Sequence, residues 1–457
     1  MVDIETPASS GRTGIKQHTV NPLQKPNNVL SPDTLEEEGS LSRIKVEDVL
    51  EDASEIPQNS PRMVFFLLVN TMIGSGILNQ PEVFAKTGMI GALLMLLGVA
   101  YITWYGVHLI VAMTTRIKQP SYQQAVLHTL GPTGENIYLV SVIIMGAGAL
   151  ISYITIVGGT ASQLFISWGC QNDWCDVYGV TGTFVPFFVL PLCLFRHYGH
   201  LSFLSTFSFF SICMCVMFVL FAGPTVGPNA GYVEVFRPAG LVTKLGSVVF
   251  ALTYASSSFM GYLSLENRSQ ELYDRISGQA VVVGALLCLV MGMAGYGSFR
   301  SDTDGEILDN FTTHAADPFK ILLVAHLIMY IPVDAVVTRD ALVKLFITKD
   351  TTKDLTFPAH FALTFALLAI CTMVVLIIRD AGLTKGEAFS AVLDITGSIG
   401  GAMLSFTFPA LMFLKVKDPT WPRREAFFVD GTRKATILLV FGIIVMVTVP
   451  SVVISQL

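Results

Sequence analysis

Charge is scarce in this sequence. Of 457 residues only 14% are Asp, Glu, Lys or Arg, against 52% hydrophobic, where a soluble domain carries about 25% charged residues. Mean hydropathy is +0.61. An ordinary soluble domain is thereby excluded. The charges cluster in the first sixty residues and in short connections, leaving long apolar stretches. About twenty such residues cross a hydrocarbon core of roughly 30 Å. No Lys/Arg run tracks phosphates, and most of the acid excess behind the net charge of −6 lies in residues 1–60 and 300–318, so no nucleic-acid partner is expected. A phosphate-binding Gly-x-x-x-x-Gly-Lys, a His-Glu-x-x-His and a zinc-spaced Cys-x-x-Cys pair are all missing. We therefore expect no enzyme, no resident metal or cofactor, and no nucleotide-driven pump.

Cysteine is also sparse. Seven residues are too few and too scattered for a disulfide framework. Cys193, Cys213, Cys215, Cys288 and Cys371 sit in apolar segments, as small hydrophobes do. Cys170 and Cys175 flank a short polar stretch; on an oxidising side they would bridge, and otherwise they are free thiols. Residues 1–60 are polar and rich in Ser, Pro, Glu and Asn, which predicts a disordered cytoplasmic tail without a cleavable signal peptide. Residues 61–457 read as one transmembrane domain.

What the sequence has in abundance is apolar length. The pattern predicts an all-α, polytopic protein of about eleven spans: 63–85, 89–116, 137–168, 181–195, 201–222, 241–265, 278–299, 319–346, 356–378, 389–415 and 435–455. With the N-terminus cytoplasmic, inside connections carry Arg116, Lys118, Arg196, Arg268, Arg275 and the basic residues of 344–353 and 415–434. The outside ones carry Lys86, Arg237, Arg300, Arg379 and Lys385. The excess inside sets the orientation. It puts the Cys170/Cys175 loop outside, together with Asn310-Phe311-Thr312, an N-glycosylation acceptor.

Irregular backbone at membrane depth is tolerated only inside protein or beside a cavity. The first span contains Asn70, then Ile73-Gly74-Ser75-Gly76-Ile77, then Pro81. Two glycines let the chain leave helical dihedrals cheaply. The amides of the following half-helix could then receive a carboxylate, and the freed carbonyls an ammonium or a cation. Close helix packing is the alternative use of Gly-x-Gly. The sixth span carries Tyr254-Ala-Ser256-Ser257-Ser258, hydroxyl-rich enough to serve an unwound segment, or a serine-lined packing face. Interruptions in the first and sixth spans, five apart, are what two five-helix repeats would produce around a transporter's binding site.

Residues 70–91 resemble the first helix of the amino acid/auxin permease family, with its Asn, Gly-Ser-Gly-Ile-Leu, Pro and Gly. Thr396-Gly-Ser-Ile-Gly-Gly-Ala-Met-Leu-Ser405-Phe-Thr-Phe-Pro409 is similar to that family's Gly-rich tenth helix. Ser152-Tyr153 in the third span and Glu266 also fit. The likeness covers about residues 62–455 and runs to the vertebrate neutral amino acid transporters of the family. It implies the bacterial leucine transporter fold, an inverted 5+5 repeat with helices 1 and 6 broken plus an eleventh helix. It also implies symport or exchange of amino acids by a monomeric unit in a lipid bilayer, with H+ or Na+ as coupling ion. Sodium-coupled members pair the first-helix Asn with a Thr four residues before a Pro in the eighth helix; that position, counted from Pro332, is Ile328, which counts against Na+.

Ionisable residues within spans are costly and commonly functional. His326 is a proton carrier or a neutral, carbonyl-bonded ring. Asp334 is expected to pair with Arg339 or Lys344, His108 to be structural, and Glu266 to form an inner gate with Arg62 or Arg268, or a plain interfacial ion pair. The expected substrate site comprises Asn70, Ile73, Gly74, Ser75, Gly76, Tyr153, Tyr254, Ser256, Ser257 and Ser258, with the substrate side chain facing Phe259 and Met260; Asn70 and His326 are the ion-coupling candidates. The resulting expectation is secondary active transport of neutral amino acids, in the plasma membrane or a vacuolar or lysosomal one. A sensor on a transporter fold, or a channel, is the alternative.

Overall fold

The computed structural model describes residues 59–194, 202–227, 232–347, 355–416 and 431–456. The 1–60 tail, all but its last two residues, lies outside the described residues, as do Arg196, Lys349, Lys353, Lys417, Arg423 and Arg424. Among the described residues the regular structure is helical. Eight helices are long and apolar enough to cross a membrane, and nine if one bent pair counts as a single span.

That pair opens the domain. α1 (Pro61–Met72) stops at Ile73, a 3-10 turn (Ser75–Asn79) follows, and α2 (Gln80–Thr87) completes a span bent by 53°. α3 (Met89–Arg116), α4 (Tyr122–Ser167), α5 (Val177–Cys193) and α6 (Ser202–Val226) come next. α7 (Leu245–Leu252) and α8 (Ala255–Leu263) are two halves of the sixth apolar segment, separated at Thr253-Tyr254. α9 (Gln270–Phe299), α10 (Asp317–Phe346), α11 (Phe357–Asp380), α12 (Lys385–Lys415) and α13 (Gly431–Gln456) follow.

The expected boundaries differ most at α4, which begins at Tyr122 and not near 137. Gly131 takes φ 78°, and Pro132 after it lacks an N–H, so one helix ends and another restarts within what reads as a single element. Ser121 caps its start, accepting from the Gln124 amide at 3.2 Å. α5 is apolar but shorter than the other spans, and a π-turn at Val185–Val189 widens it around Pro186. α12 begins with a Thr384/Glu387 capping box, and its Gly-rich stretch winds into two π-turns, Gly397–Gly401 and Met403–Thr407.

Small residues let the helices close in. α4 and α10 pack along each other more extensively than any other described pair, because a side chain on Gly146 would collide with Thr338 of α10. Gly148 of α4 meets Thr396 of α12, and Gly246 of α7 meets Asp394 of α12, in the same way. The core contains fully buried Leu68, Ile77, Phe84, Tyr254, Tyr273 and Phe406. Large apolar side chains are exposed at helical spacing on the outer helices: Ile370, Met373 and Ile377 on α11, and Ile437, Val440, Ile444 and Val447 on α13. These faces meet lipid and not water.

Cys170 and Cys175 form a disulfide beyond the end of α4, with Cα atoms 6.3 Å apart. It marks one end of the bundle. At the opposite end Asn59, just before α1, pairs with the chain leaving α8: Asn59 donates to the Ser264 carbonyl at 2.6 Å, and its own carbonyl accepts from the Glu266 amide at 3.0 Å.

Candidate functional site at two abutting helix breaks

The break in the first span has a simple cause. Ile73 ends α1 at φ −83°, ψ 81°, and Gly74 is extended at φ −111°, ψ −157°. The new 3-10 turn starts at Ser75, so the amides of Ser75 and Gly76 have no backbone acceptor. Ser75 is fully buried, its Oγ 3.3 Å from Ser152 Oγ of α4. Gln80 Nε2 donates back to the Gly76 carbonyl at 3.0 Å. Asn70, in the last turn of α1, is buried, and its Oδ1 has no partner among the described residues.

The second break abuts the first. A Cβ on Gly76 would lie 2.9 Å from Ala251 Cα and 3.0 Å from the Phe250 ring. Gly76 therefore serves close packing against α7. Gly74 differs: a Cβ there would meet only the Tyr153 hydroxyl, at 3.5 Å. The two glycines, alike in sequence, divide into a packing residue and a site-lining one. At the second break Thr253 leaves the helix at ψ 127° and Tyr254 caps α8 at ψ 17°. Thr253 Oγ1 donates to the Val249 carbonyl at 2.7 Å and lies 3.4 Å from Ser405 Oγ in the α12 π-turn. The π-turned part of α12 thus faces the sixth-span break.

The three serines of α8 point in different directions. Ser258 is buried and donates to the Ala255 carbonyl at 2.7 Å, while its own carbonyl accepts from the Tyr273 hydroxyl at 2.6 Å. Ser257 is half-buried, its amide donating to the Tyr254 carbonyl at 3.2 Å, and Ser256 is exposed. Tyr254 is fully buried, and its hydroxyl has no hydrogen-bond partner among the described residues. Phe259 is buried, but Met260 is 54% exposed and points away from the interior.

Tyr153 of α4 is the hub. It is buried, its hydroxyl donates to Asp334 Oδ2 of α10 at 3.0 Å, and its ring meets Tyr330 edge-on at 5.8 Å. The expected pairing of Asp334 with Arg339 or Lys344 does not occur. At 3.6 residues per turn, positions five and ten residues apart do not lie over one another at pairing distance, and each base has nearer partners. Arg339 donates to the Cys193 carbonyl at 2.9 Å and to Thr364 Oγ1 at 3.0 Å, and Lys344 pairs with Asp340 at 2.7 Å. His326 is fully buried, neither ring nitrogen has a partner among the described residues, and its ring lies 5.7 Å from that of Tyr330 at a tilt of 36°. Ile328 is partly buried apolar packing. His108 pairs with Asp274 at 2.8 Å. Glu266 and Arg62 are both exposed, with no ion pair joining them among the described residues.

Sequence reasoning missed the charges nearest the disulfide end. Lys244, at the start of α7, lies 3.1 Å from Glu82 of α2 and 3.0 Å from Asp394 of α12. Ser390 bonds Glu82 and accepts from Lys244, each at 2.5 Å, and Asp394 accepts from the Ser247 hydroxyl at 2.7 Å. A second cluster lies beyond it, where Lys385 of α12 meets Glu306 at 2.9 Å, Asp309 at 2.5 Å and Thr160 of α4 at 2.9 Å. Burial pushes the Glu306 carboxyl up to about 7, Lys385 opposing and Asp309 reinforcing the rise. Asp304 is raised for the same reason. Asn79, at the end of the 3-10 turn, ties this loop to the first span by donating to the Gly305 carbonyl at 2.8 Å. Asn310 belongs to the same loop: its Nδ2 donates to the Asp302 carbonyl at 2.7 Å and its Oδ1 accepts from the Asp304 amide at 2.9 Å. The available signal was a lone charge within an apolar span, Lys244 in 241–265 and Asp394 in 389–415; the partners, 150 residues apart, carry none.

Two broken helices meeting in a membrane bundle are a transporter's geometry, and comparison with known proteins places the chain. The model of the transmembrane amino acid transporter protein family matches residues 57–455. The chain belongs to that family. Vacuolar amino acid transporter 2 of Saccharomyces cerevisiae is 23% identical over 440 residues, covering 92% of this chain and 86% of that protein. The putative sodium-coupled neutral amino acid transporter 11 of Danio rerio is 27% identical over 405 residues, covering 87% and 86%. Among solved structures, a mutant of the manganese transporter of Eremococcus coleocola superposes with a TM-score of 0.51 at 12% identity, over 88% of this chain and 90% of that one. This last likeness concerns the fold alone.

Proposed function

We propose that this family member is a secondary active transporter of neutral amino acids, working by alternating access around the two breaks. The observation that carries the reading is the contact of Gly76 with Ala251, which sets the interrupted backbones of the first and sixth spans side by side. The substrate carboxylate is received by the unbonded amides of Ser75 and Gly76, and its ammonium by carbonyls and side-chain oxygens near Asn70 and Tyr254. Gly74, Ser75 and Tyr153 line the same place.

In this reading α5 and the α7–α8 pair are short spans that complete eleven, and the two breaks occupy equivalent positions of an inverted repeat. Asn59 and Glu266, joined backbone to backbone, hold the inner halves α1 and α8 together as one rocking unit. The end of the bundle with the disulfide faces away from the cytosol, and the N-terminus faces the cytosol. A gradient of H+ or Na+ drives uptake, in a plasma membrane or a vacuolar one.

The test is uptake into proteoliposomes of a panel of amino acids, with sodium and proton gradients imposed separately. Saturable accumulation above equilibrium is expected. Unsaturable flux would identify a channel, and binding without flux a sensor.

A further inference from the structure

Asp334, half-buried on α10, differs from the acids of the two ion clusters. Glu82 and Asp394 share Lys244, and Glu306 and Asp309 share Lys385. Among the described residues the carboxyl of Asp334, midway along α10, has one hydrogen-bond partner, the neutral Tyr153 hydroxyl. The groups facing it can be named helix by helix. From α4 comes Tyr153, and from α10 itself Tyr330, one turn back. The cations on neighbouring elements are committed elsewhere: Arg339 to Cys193 of α5 and Thr364 of α11, and Lys344 to Asp340. His360 of α11 lies 3.1 Å from the Leu194 carbonyl. Cys215 of α6 has its Sγ 3.9 Å from the Phe319 carbonyl, at the far end of α10. A carboxylate served by a single neutral donor is expensive at membrane depth, and uptake of one proton removes the charge.

The one partner of Asp334 is also the residue that faces the break. The Tyr153 hydroxyl lies beside Gly74, 3.5 Å from where a Cβ there would sit, and Ser75 Oγ lies 3.3 Å from Ser152 Oγ, the residue before Tyr153. Tyr153 therefore connects the lining of the break to Asp334 through one hydrogen bond, at 3.0 Å. We infer that Asp334 is the group that carries the coupled proton, and that Tyr153 links its protonation to substrate occupancy. The inference rests on the transport reading and chooses H+ over Na+.

The step balances simply. As carboxylate, Asp334 accepts the Tyr153 proton in a hydrogen bond. On taking up H+ its O–H becomes a donor, and the Tyr153 hydroxyl is released to donate toward a substrate carboxylate at Gly74–Ser75. The proton leaves on the opposite side with the substrate, and the carboxylate returns, so one positive charge moves per zwitterion. His326, with no bonded nitrogen among the described residues, is in this account an apolar spacer against Tyr330.

The test uses the full chain in proteoliposomes with labelled alanine, leucine, glutamine and lysine as probes. Wild type should accumulate at least one neutral probe at least tenfold when the inside is made alkaline, with co-entry of protons seen by a trapped pH dye. Asp334→Asn should lose that accumulation and its proton signal, yet still exchange the same probe down its own gradient. Asp334→Glu should restore proton-driven accumulation in part, and Asp340→Asn, an exposed acid on the same helix, should behave as wild type. Proton-driven accumulation by Asp334→Asn overturns the inference, as does neutral uptake by wild type without proton entry. Selective loss of lysine uptake would overturn it too, making Asp334 a cation-recognising residue. If Asp334→Asn fails to fold, the wild-type dye signal and the glutamate variant decide alone. No accumulation of any probe by wild type would be a failure of the transport reading itself.

Discussion

At the scale of single residues, the two glycines of the first break make opposite predictions. Gly74 has room for a methyl group and an extended backbone any residue adopts. Gly74→Ala should therefore melt in detergent within a few degrees of wild type while transport falls severalfold, because the methyl group intrudes beside Tyr153. Gly76→Val should instead lose folded protein, since its branched side chain starts 2.9 Å from Ala251 Cα; overpacking costs about 1–3 kcal/mol or more. A Gly76→Val protein that melts like wild type would remove the packing assignment. Gly-x-Gly was legible as an interruption, but the sequence cannot tell which glycine lines a site and which admits a helix, because the answer depends on α7, some 175 residues away. The same limit applies to Ser256, Ser257 and Ser258: three adjacent hydroxyls on a helix necessarily face three directions, and only packing decides which one is inside.

At the scale of elements, the buried clusters join moving parts. Lys244 ties α7 to both α2 and α12. Lys244→Met should leave two buried carboxylates without their cation, and removal of one partner from such a pair costs about 3–5 kcal/mol; the melting temperature of the purified protein reads this directly. The loop of residues 303–311 should respond to pH. Glu306 is raised by burial to about 7 from an ordinary value of 4.5. The folded loop thus binds a proton more tightly than the open one. Its stabilisation is complete below about pH 4.5 and is lost as pH rises through about 7. Protection of residues 303–311 against hydrogen exchange, taken relative to the base-catalysed intrinsic rate, should accordingly fall between pH 5 and 8, and Glu306→Gln should flatten that dependence. The charges were visible one by one in the sequence, but an ion cluster made by α2, α7 and α12 has no local pattern to read.

At the scale of the whole molecule, the positions of the disulfide and of the Asn59–Leu265 bridge fix two ends of the bundle. If the disulfide end faces away from the cytosol, a membrane-impermeant maleimide added from that side should label Cys170, the more exposed partner, only after reduction. Labelling from the cytosolic side would reverse the proposed orientation. The existence of spans, the hydroxyl-rich sixth segment and the family motifs were all legible in sequence because each depends on local apolar length or short spacing. The restart of α4 at Gly131-Pro132 was not, since a Gly-Pro pair signals a break without saying that the helix resumes.

By itself the sequence determined that the chain lives in a bilayer, where its helices are interrupted, and which family it resembles. Hydropathy over about twenty residues and glycine's dihedral freedom are properties of the local chain. Only the tertiary structure decided the partners: Tyr153 for Asp334, Lys244 for Glu82 and Asp394, Ala251 for Gly76. A buried charge or an unwound turn is satisfied by whatever the fold brings within about 3 Å of it, and helices far apart in sequence supply those atoms.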